Sequence, residues 1–217
     1  MGAIGADYIC NSTAGVDMNR VLFFSIICAV VVLSGCGTPK VTRTDVKAVT
    51  DLSGGWNDTD VRLVAEEMVK DCMAGKWVDD FNRANGRAPA IIIGSIKNKT
   101  FEHISSEMFT NDLEVALVNA GKATFVADKS FREEIRDERA DQNQGNTEPS
   151  TISARGHETG ADFMLQGSIN SLKDEIKGKV AVFYQVKLEL VDMKTNQKRW
   201  IGQKEIKKIV ERPSVRM

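Results

Sequence analysis

Apolar residues fall along this chain in distinct patterns, and each pattern predicts a different kind of element. Val21 to Val32 is a nearly unbroken apolar run, and after Leu33-Ser34-Gly35-Cys36 the composition turns polar at Gly37-Thr38-Pro39-Lys40. A membrane span needs roughly 20 apolar residues. This run is shorter and ends in small residues, so it reads as a secretory signal. Val46 to Leu52 reads as a first strand, with a turn at Ser53-Gly54-Gly55. Asp58 or Thr59 is the expected cap of a helix running to about Met73, whose Val61, Ala65, Met68, Val69 and Cys72 share one face. A second short helix holds Trp77 and Phe81 and stops at Asn85-Gly86.

Ala90 to Ile96 is a continuous apolar run, as in a strand buried on both faces, with Lys97 to Thr100 as its exit loop. A helix over Ser106 to Ala120 turns Phe109, Leu113, Ala116, Leu117 and Ala120 inward, and Gly121 suits its end. A short strand is expected at Ala123 to Ala127. Ser130-Phe131-Arg132-Glu133 has the form of a capping box opening a highly charged helix to about Gln142. A polar loop, a helix around Thr151 to Thr159 and a strand at Asp162 to Ile169 follow. Val180, Val182, Tyr184, Val186, Leu188 and Leu190 then alternate with more polar residues, and Lys198 to Val210 forms a last strand containing Trp200. Helices between early strands and antiparallel strands late predict an α/β fold: a mixed sheet with flanking helices, ending in an antiparallel β meander.

The formal net charge is −1, so nothing global points to nucleic acid. Catalytic constellations are not legible. His103 and His157 are not at ligand spacing to each other or to Cys72. Gly94-Ser95-Ile96-Lys97 lacks the spacing of a phosphate-binding loop, and no Gly-x-Ser-x-Gly elbow occurs. Asp79-Asp80 and Glu133-Glu134 are sequence neighbours, which do not face one another on a helix. The expectation is a non-enzyme with no cofactor, no metal and no small-molecule substrate. Basic residues crowd the C-terminal strand, including Lys204, Lys207 and Lys208. They either keep a sheet edge soluble and unpaired or form a patch for an acidic partner or a lipid headgroup. Trp56, between Gly55 and polar turn residues, is either a lid folded onto the sheet or a partner contact. Glu133, Glu134, Asp137 and Glu138 read as a solvated helix face first and a contact surface second.

Leu33-Ser34-Gly35-Cys36 resembles the bacterial lipobox. The resemblance implies cleavage before Cys36, a diacylglycerol thioether on its sulfur and an acylated amino terminus. Buried acyl chains then hold the protein to a membrane at ~0.8 kcal/mol per CH₂. The segment before Met18 has no basic residue and carries Asp7 and Asp17, whereas a signal opens with positive charge. The expected organisation is therefore 1–17 as an upstream non-native start, 18–35 as signal peptide, 36–47 as lipidated Cys and short tether, 48–212 as one domain and 213–217 as a tail. Of the four cysteines, Cys10 and Cys28 would be removed and Cys36 lipidated. Cys72 is then left alone, on the apolar stripe of its helix, as a small buried hydrophobe.

Three blocks of the chain are similar to the penicillin-binding protein activator LpoB family: Asp51-Leu52-Ser53-Gly54-Gly55-Trp56-Asn57-Asp58-Thr59-Asp60, Ile96-Lys97-Asn98-Lys99-Thr100, and Gly160-Ala161-Asp162-Phe163-Met164-Leu165-Gln166-Gly167-Ser168-Ile169. Tyr184 to Leu190 and Trp200 continue the likeness. The last block also looks like the curli-secretion lipoprotein and the N-terminal domain of TolB. The resemblance implies a fold similar to that TolB domain and an outer-membrane lipoprotein with its domain in the periplasm. It implies as partner a bifunctional class A penicillin-binding protein, whose glycan polymerisation and peptide cross-linking are stimulated. The alternative it leaves is an envelope structural or export component related to the curli-secretion lipoprotein. Gly37 to Lys47 forms a tether of about 11 residues, at most ~40 Å when extended, shorter than the tether of the enterobacterial members.

Overall fold

In the computed structural model, residues 40–51, 53–176 and 178–211 are described. The chain divides into Met1–Asp45 and Val46–Met217, and every helix and strand described lies in the second unit. Its elements are α1 (Asp58–Ala74), α2 (Lys76–Asn85), β1 (Ala90–Lys99), α3 (Ser106–Ala120), β2 (Thr124–Phe125), α4 (Lys129–Gln142), a 3₁₀ turn (Pro149–Thr151), β3 (Phe163–Ile176), β4 (Lys179–Asp192) and β5 (Lys198–Glu211).

The five strands form one mixed sheet in the order β2-β1-β3-β4-β5. β1 runs parallel to both β2 and β3, and β3, β4 and β5 form the antiparallel meander. The alternation of β4 puts Val180, Val182, Tyr184, Val186, Leu188 and Leu190 into the core, each at most 5% exposed. Strand residues two apart share a face. α1 packs beside α3 and over β5, and α3 packs over β1. Val61, Val64, Ala65, Met68, Val69 and Cys72 of α1 meet Phe109, Leu113 and Leu117 of α3 in the same core. Register between β1 and β3 shifts between Ile93 and Ile96. This irregularity keeps Ile96 on the core side with Ile91 and Ile93. At Gly167 of β3 a Cβ would come 2.1 Å from the Lys187 carbonyl oxygen, so that close approach of β3 to β4 admits only glycine.

Several local expectations are corrected. Residues 46–51 form a turn and irregular chain in place of the expected strand, with Val46 and Val49 exposed; Leu52 lies outside the described residues. Side chains fasten this segment where a sheet ladder would have: Asn57 Nδ2 donates to Asp51 Oδ1 at 2.6 Å. The cap of α1 is Asn57, one residue before the expected pair, because only from there can Asp60 close a reciprocal box (both bonds 3.0 Å). α4 is capped by Asp128, whose carboxylate accepts from the Ser130 and Phe131 N–H groups. β1 continues through the expected exit loop, because Lys97, Asn98 and Lys99 pair with Ser168, Ile169 and Asn170 of β3. The helix expected around Thr151 to Thr159 is reduced to the 3₁₀ turn; that stretch has no apolar stripe to bury.

Candidate partner-binding surface

Ser53 to Asn57 forms a strap over the helix-side face of β4 and β5. Trp56 is its half-buried centre, set edge-to-face on Phe109 (6.4 Å between ring centroids) and Tyr184 (5.5 Å). The Trp56 N–H donates to Glu102 Oε2 at 3.0 Å, and Glu102 Oε1 accepts from the hydroxyl of Tyr184, which also lies 3.2 Å from the Gly54 carbonyl. Burial, then Glu102, push the Tyr184 hydroxyl well above its ordinary pKa. Trp56 is therefore the lid that one reading of the strap expected. Its indole N–H finds no acceptor among the described residues.

The three lysines do not form one patch. β5 alternates, so Lys204 and Lys208 face the helices and Lys207 faces the opposite side, across from Phe183. Lys204 pairs with Glu67 of α1. Lys208, with a side chain 10% exposed, reaches Asp60 Oδ2 at 2.6 Å, Asp51 Oδ1 at 2.7 Å and the Gly55 carbonyl at 3.0 Å. Burial opposes its charge, but Asp51 and Asp60 outweigh that and raise its pKa. Lys208 is thus an anchor for the strap and the start of α1. Reversing all three lysines together would set a carboxylate between Asp51 and Asp60. Lys207 alone is exposed with no ion partner among the described residues.

A latch that the sequence did not disclose joins the N-terminal ends of β1 and β3. Arg87 grips Asp162 with two bonds of 2.7 Å, and the same carboxylate accepts from the Ala90 N–H at 2.9 Å. The guanidinium lies 5.2 Å from the Phe81 ring centre, and Phe81 and Trp77 pack edge-to-face on Phe163. The Gly160-Ala161-Asp162 block owes its acidic residue to this latch. Between α1 and α3 lies an open groove of about 720 Å³ whose apolar lining includes Val69, Met73, Met108, Val115 and Ala116. His103 and His157 are exposed on separate loops, while Cys72 is buried. Among the described residues no cluster of His, Cys, Asp or Glu could hold a metal ion, and no helix is long and apolar enough to cross a membrane.

Residues 60–206, from the first turn of α1 into β5, match the family model described as peptidoglycan-synthase activator LpoB. No curated protein matches the chain. Among solved structures, the chain is similar to the LpoB C-terminal domain from Escherichia coli at 18% identity, over 68% of this chain and 98% of that one, with a TM-score of 0.40. It is similar to the LpoB C-terminal domain from Salmonella enterica at 20% identity, over 59% and 91%, with a TM-score of 0.32. It is also similar to lipoprotein GNA1162 from Neisseria meningitidis at 14% identity, over 55% and 83%, with a TM-score of 0.36. The match to the family model covers more than half of the sequence, and the chain belongs to the LpoB family of peptidoglycan-synthase activators.

Proposed function

We propose that this protein is a non-catalytic activator that binds a bifunctional class A penicillin-binding protein and stimulates its glycan polymerisation and peptide cross-linking. One observation carries the reading: the family match runs from α1 into β5, so it takes in the sheet and the helices on it. The domain acts from the periplasm, tied to the outer membrane by lipid on Cys36. That anchor is supported by Leu33-Ser34-Gly35-Cys36 after the apolar run; Cys36 itself lies outside the described residues. Lys207, exposed on β5, and the half-buried Trp56 are the partner contacts retained from the sequence reading. Lys204 and Lys208 act through the fold, by holding α1 and the strap.

The test is glycan polymerisation by the purified synthase of the same organism, with and without the full chain, at low and moderate salt. The full chain is expected to raise the rate. Lys207→Glu should weaken that effect most at low salt, because an exposed charge chiefly sets encounter rate. An active synthase that a folded chain does not accelerate would end the activator reading for that synthase. For the anchor, Cys36→Ser should leave the detergent phase or remain uncleaved. Wild-type partitioning and processing of that variant would refute lipidation.

A further inference from the structure

Helix α4 has no buried residue, yet its charges are sorted. Arg132, Arg136 and Arg139 recur at helical spacing on one face, while Glu133, Glu134, Asp137 and Glu138 occupy the others. The arginine face meets the loop before β3. There Arg136 forks onto Glu158 (2.9 and 2.7 Å), Arg139 reaches the same carboxylate at 2.9 Å, and these groups line an open cleft of about 530 Å³ with Arg155 and Gly156. Arg155 has no hydrogen bond or ion pair among the described residues. Arg132, lining the adjoining recess with His157 and Glu158, has a buried Nε without an acceptor. Besides Glu158, Asp128 acts on Arg132 and Glu133 on Arg136, so among the described residues the four guanidinium groups meet three carboxylates. Like charges gathered this way repel unless an anion neutralises them. Glu158 already shows which anion fits, since planar guanidinium forks match carboxylates. Phe131 and Ile135, exposed on the same helix at 57% and 44%, add apolar surface beside the charge.

We infer that the arginine cleft between α4 and the 155–158 loop is a docking site for an acidic peptide segment of a partner protein, with Glu158 holding part of the site until a partner carboxylate arrives. Only the assignment of that segment to the synthase rests on the activator reading; the docking does not.

The test therefore uses no synthase. The full chain in detergent is titrated against a fluorescein-labelled Glu-Glu-Phe-Glu-Glu peptide, its Gln-Gln-Phe-Gln-Gln counterpart, and inorganic phosphate as competitor. The glutamate peptide should bind, and bind less tightly as salt rises, while the glutamine peptide should not. Arg155→Gln should weaken binding about tenfold, the scale of one lost charge-assisted contact, with an unchanged melting temperature. Arg132→Gln should weaken it further. Glu158→Gln should tighten binding, because it frees Arg136 and Arg139; a purely structural cluster would not give that sign. Equal binding of both peptides, or wild-type binding by the Arg132→Gln/Arg155→Gln double variant, overturns the inference. So does phosphate that binds more tightly than the peptide and displaces it, which makes the cleft a phosphate site. Peptide binding that behaves as expected, in a chain that accelerates no class A synthase, leaves the docking site standing and removes the activator reading.

Discussion

Lys208 shows how much one side chain can decide here. It sits almost buried between Asp60 and Asp51, and breaking a buried pair by removing one partner leaves the other charge uncompensated. Lys208→Met should lower stability by about 3 kcal/mol, most of it through Asp60, since Asp51 is half exposed and screened. Denaturant melts would show it, and a loss well under 1 kcal/mol would mean that the strap is held by its other contacts, Trp56 on Phe109 and Tyr184 and the Tyr184 hydroxyl on the Gly54 carbonyl. The sign of the pH dependence follows from the raised pKa of this lysine. Its contribution is complete below the unfolded value and is lost as pH rises through the folded one. The neutral phenol of Tyr184 acts in the same direction, because the unfolded tyrosine gives up its proton first. Thermal melts should therefore fall away above about pH 10. At Cys72, burial and then the neighbouring Asp71 push the thiol up to about 12. Alkylation of Cys72 at neutral pH should track unfolding, so labelling in native buffer should be slower by orders of magnitude than in denaturant. Rapid native labelling would mean that α1 opens locally.

At the scale of elements, the Arg87–Asp162 latch fastens two parallel strands where the ladder begins. Burial of Asp162 opposes its charge, but the Arg87 fork and the Ala90 N–H prevail and hold its carboxyl below the ordinary value. A depressed carboxylate stabilises the fold above its unfolded pKa and loses that contribution as pH falls through the folded one. The wild type should therefore lose stability below about pH 4. Asp162→Asn should start less stable and show a flatter acid limb in melting temperature against pH. Parallel acid limbs would remove the latch from the account of acid stability. The strap, α1 and β5 likewise act as a group, because Lys204, Lys208 and Tyr184 all tie strand residues to groups outside the sheet. α4 differs from them: no residue of it is fully buried, and it is held by Glu158 and polar loop contacts. A helix so weakly packed is open to a partner at low cost to the core.

For the whole molecule, the first buried residue among those described is Thr59, and the second unit begins at Val46. A chain starting at Val46 keeps Asp51, the strap and the entire described core. It should unfold in one cooperative step with the same midpoint and denaturant slope as the full protein, since that slope follows the surface exposed on unfolding. A smaller slope or a lower midpoint would show that the upstream segment contributes to the fold. Single-domain behaviour of this kind suits an activator that works by presenting a fixed surface.

What the sequence determined by itself is the periodic part of the molecule. The stripe of α1, the inner face of α3 apart from Ala120, which is exposed at the end of the helix, the alternation of β4 and the mixed fold with a terminal meander are local consequences of where apolar residues recur, and Gly86 and Gly121 end their helices in left-handed backbone as their positions imply. On α4 the reading from sequence singled out the acidic face and passed over the arginines at helical spacing, Arg132, Arg136 and Arg139. Only the tertiary structure decided which carboxylate meets those arginines, because Glu158 stands 22 residues from Arg136. The same holds for Lys208, which looked like one charge in a basic run until strand pairing set it against Asp60 and Asp51, and for Asp162, which meets Arg87 across 75 positions. Periodicity reports which side of an element is buried. The partner of a charge depends on contacts between residues far apart in the chain, and these exist only once the sheet has brought its strands together.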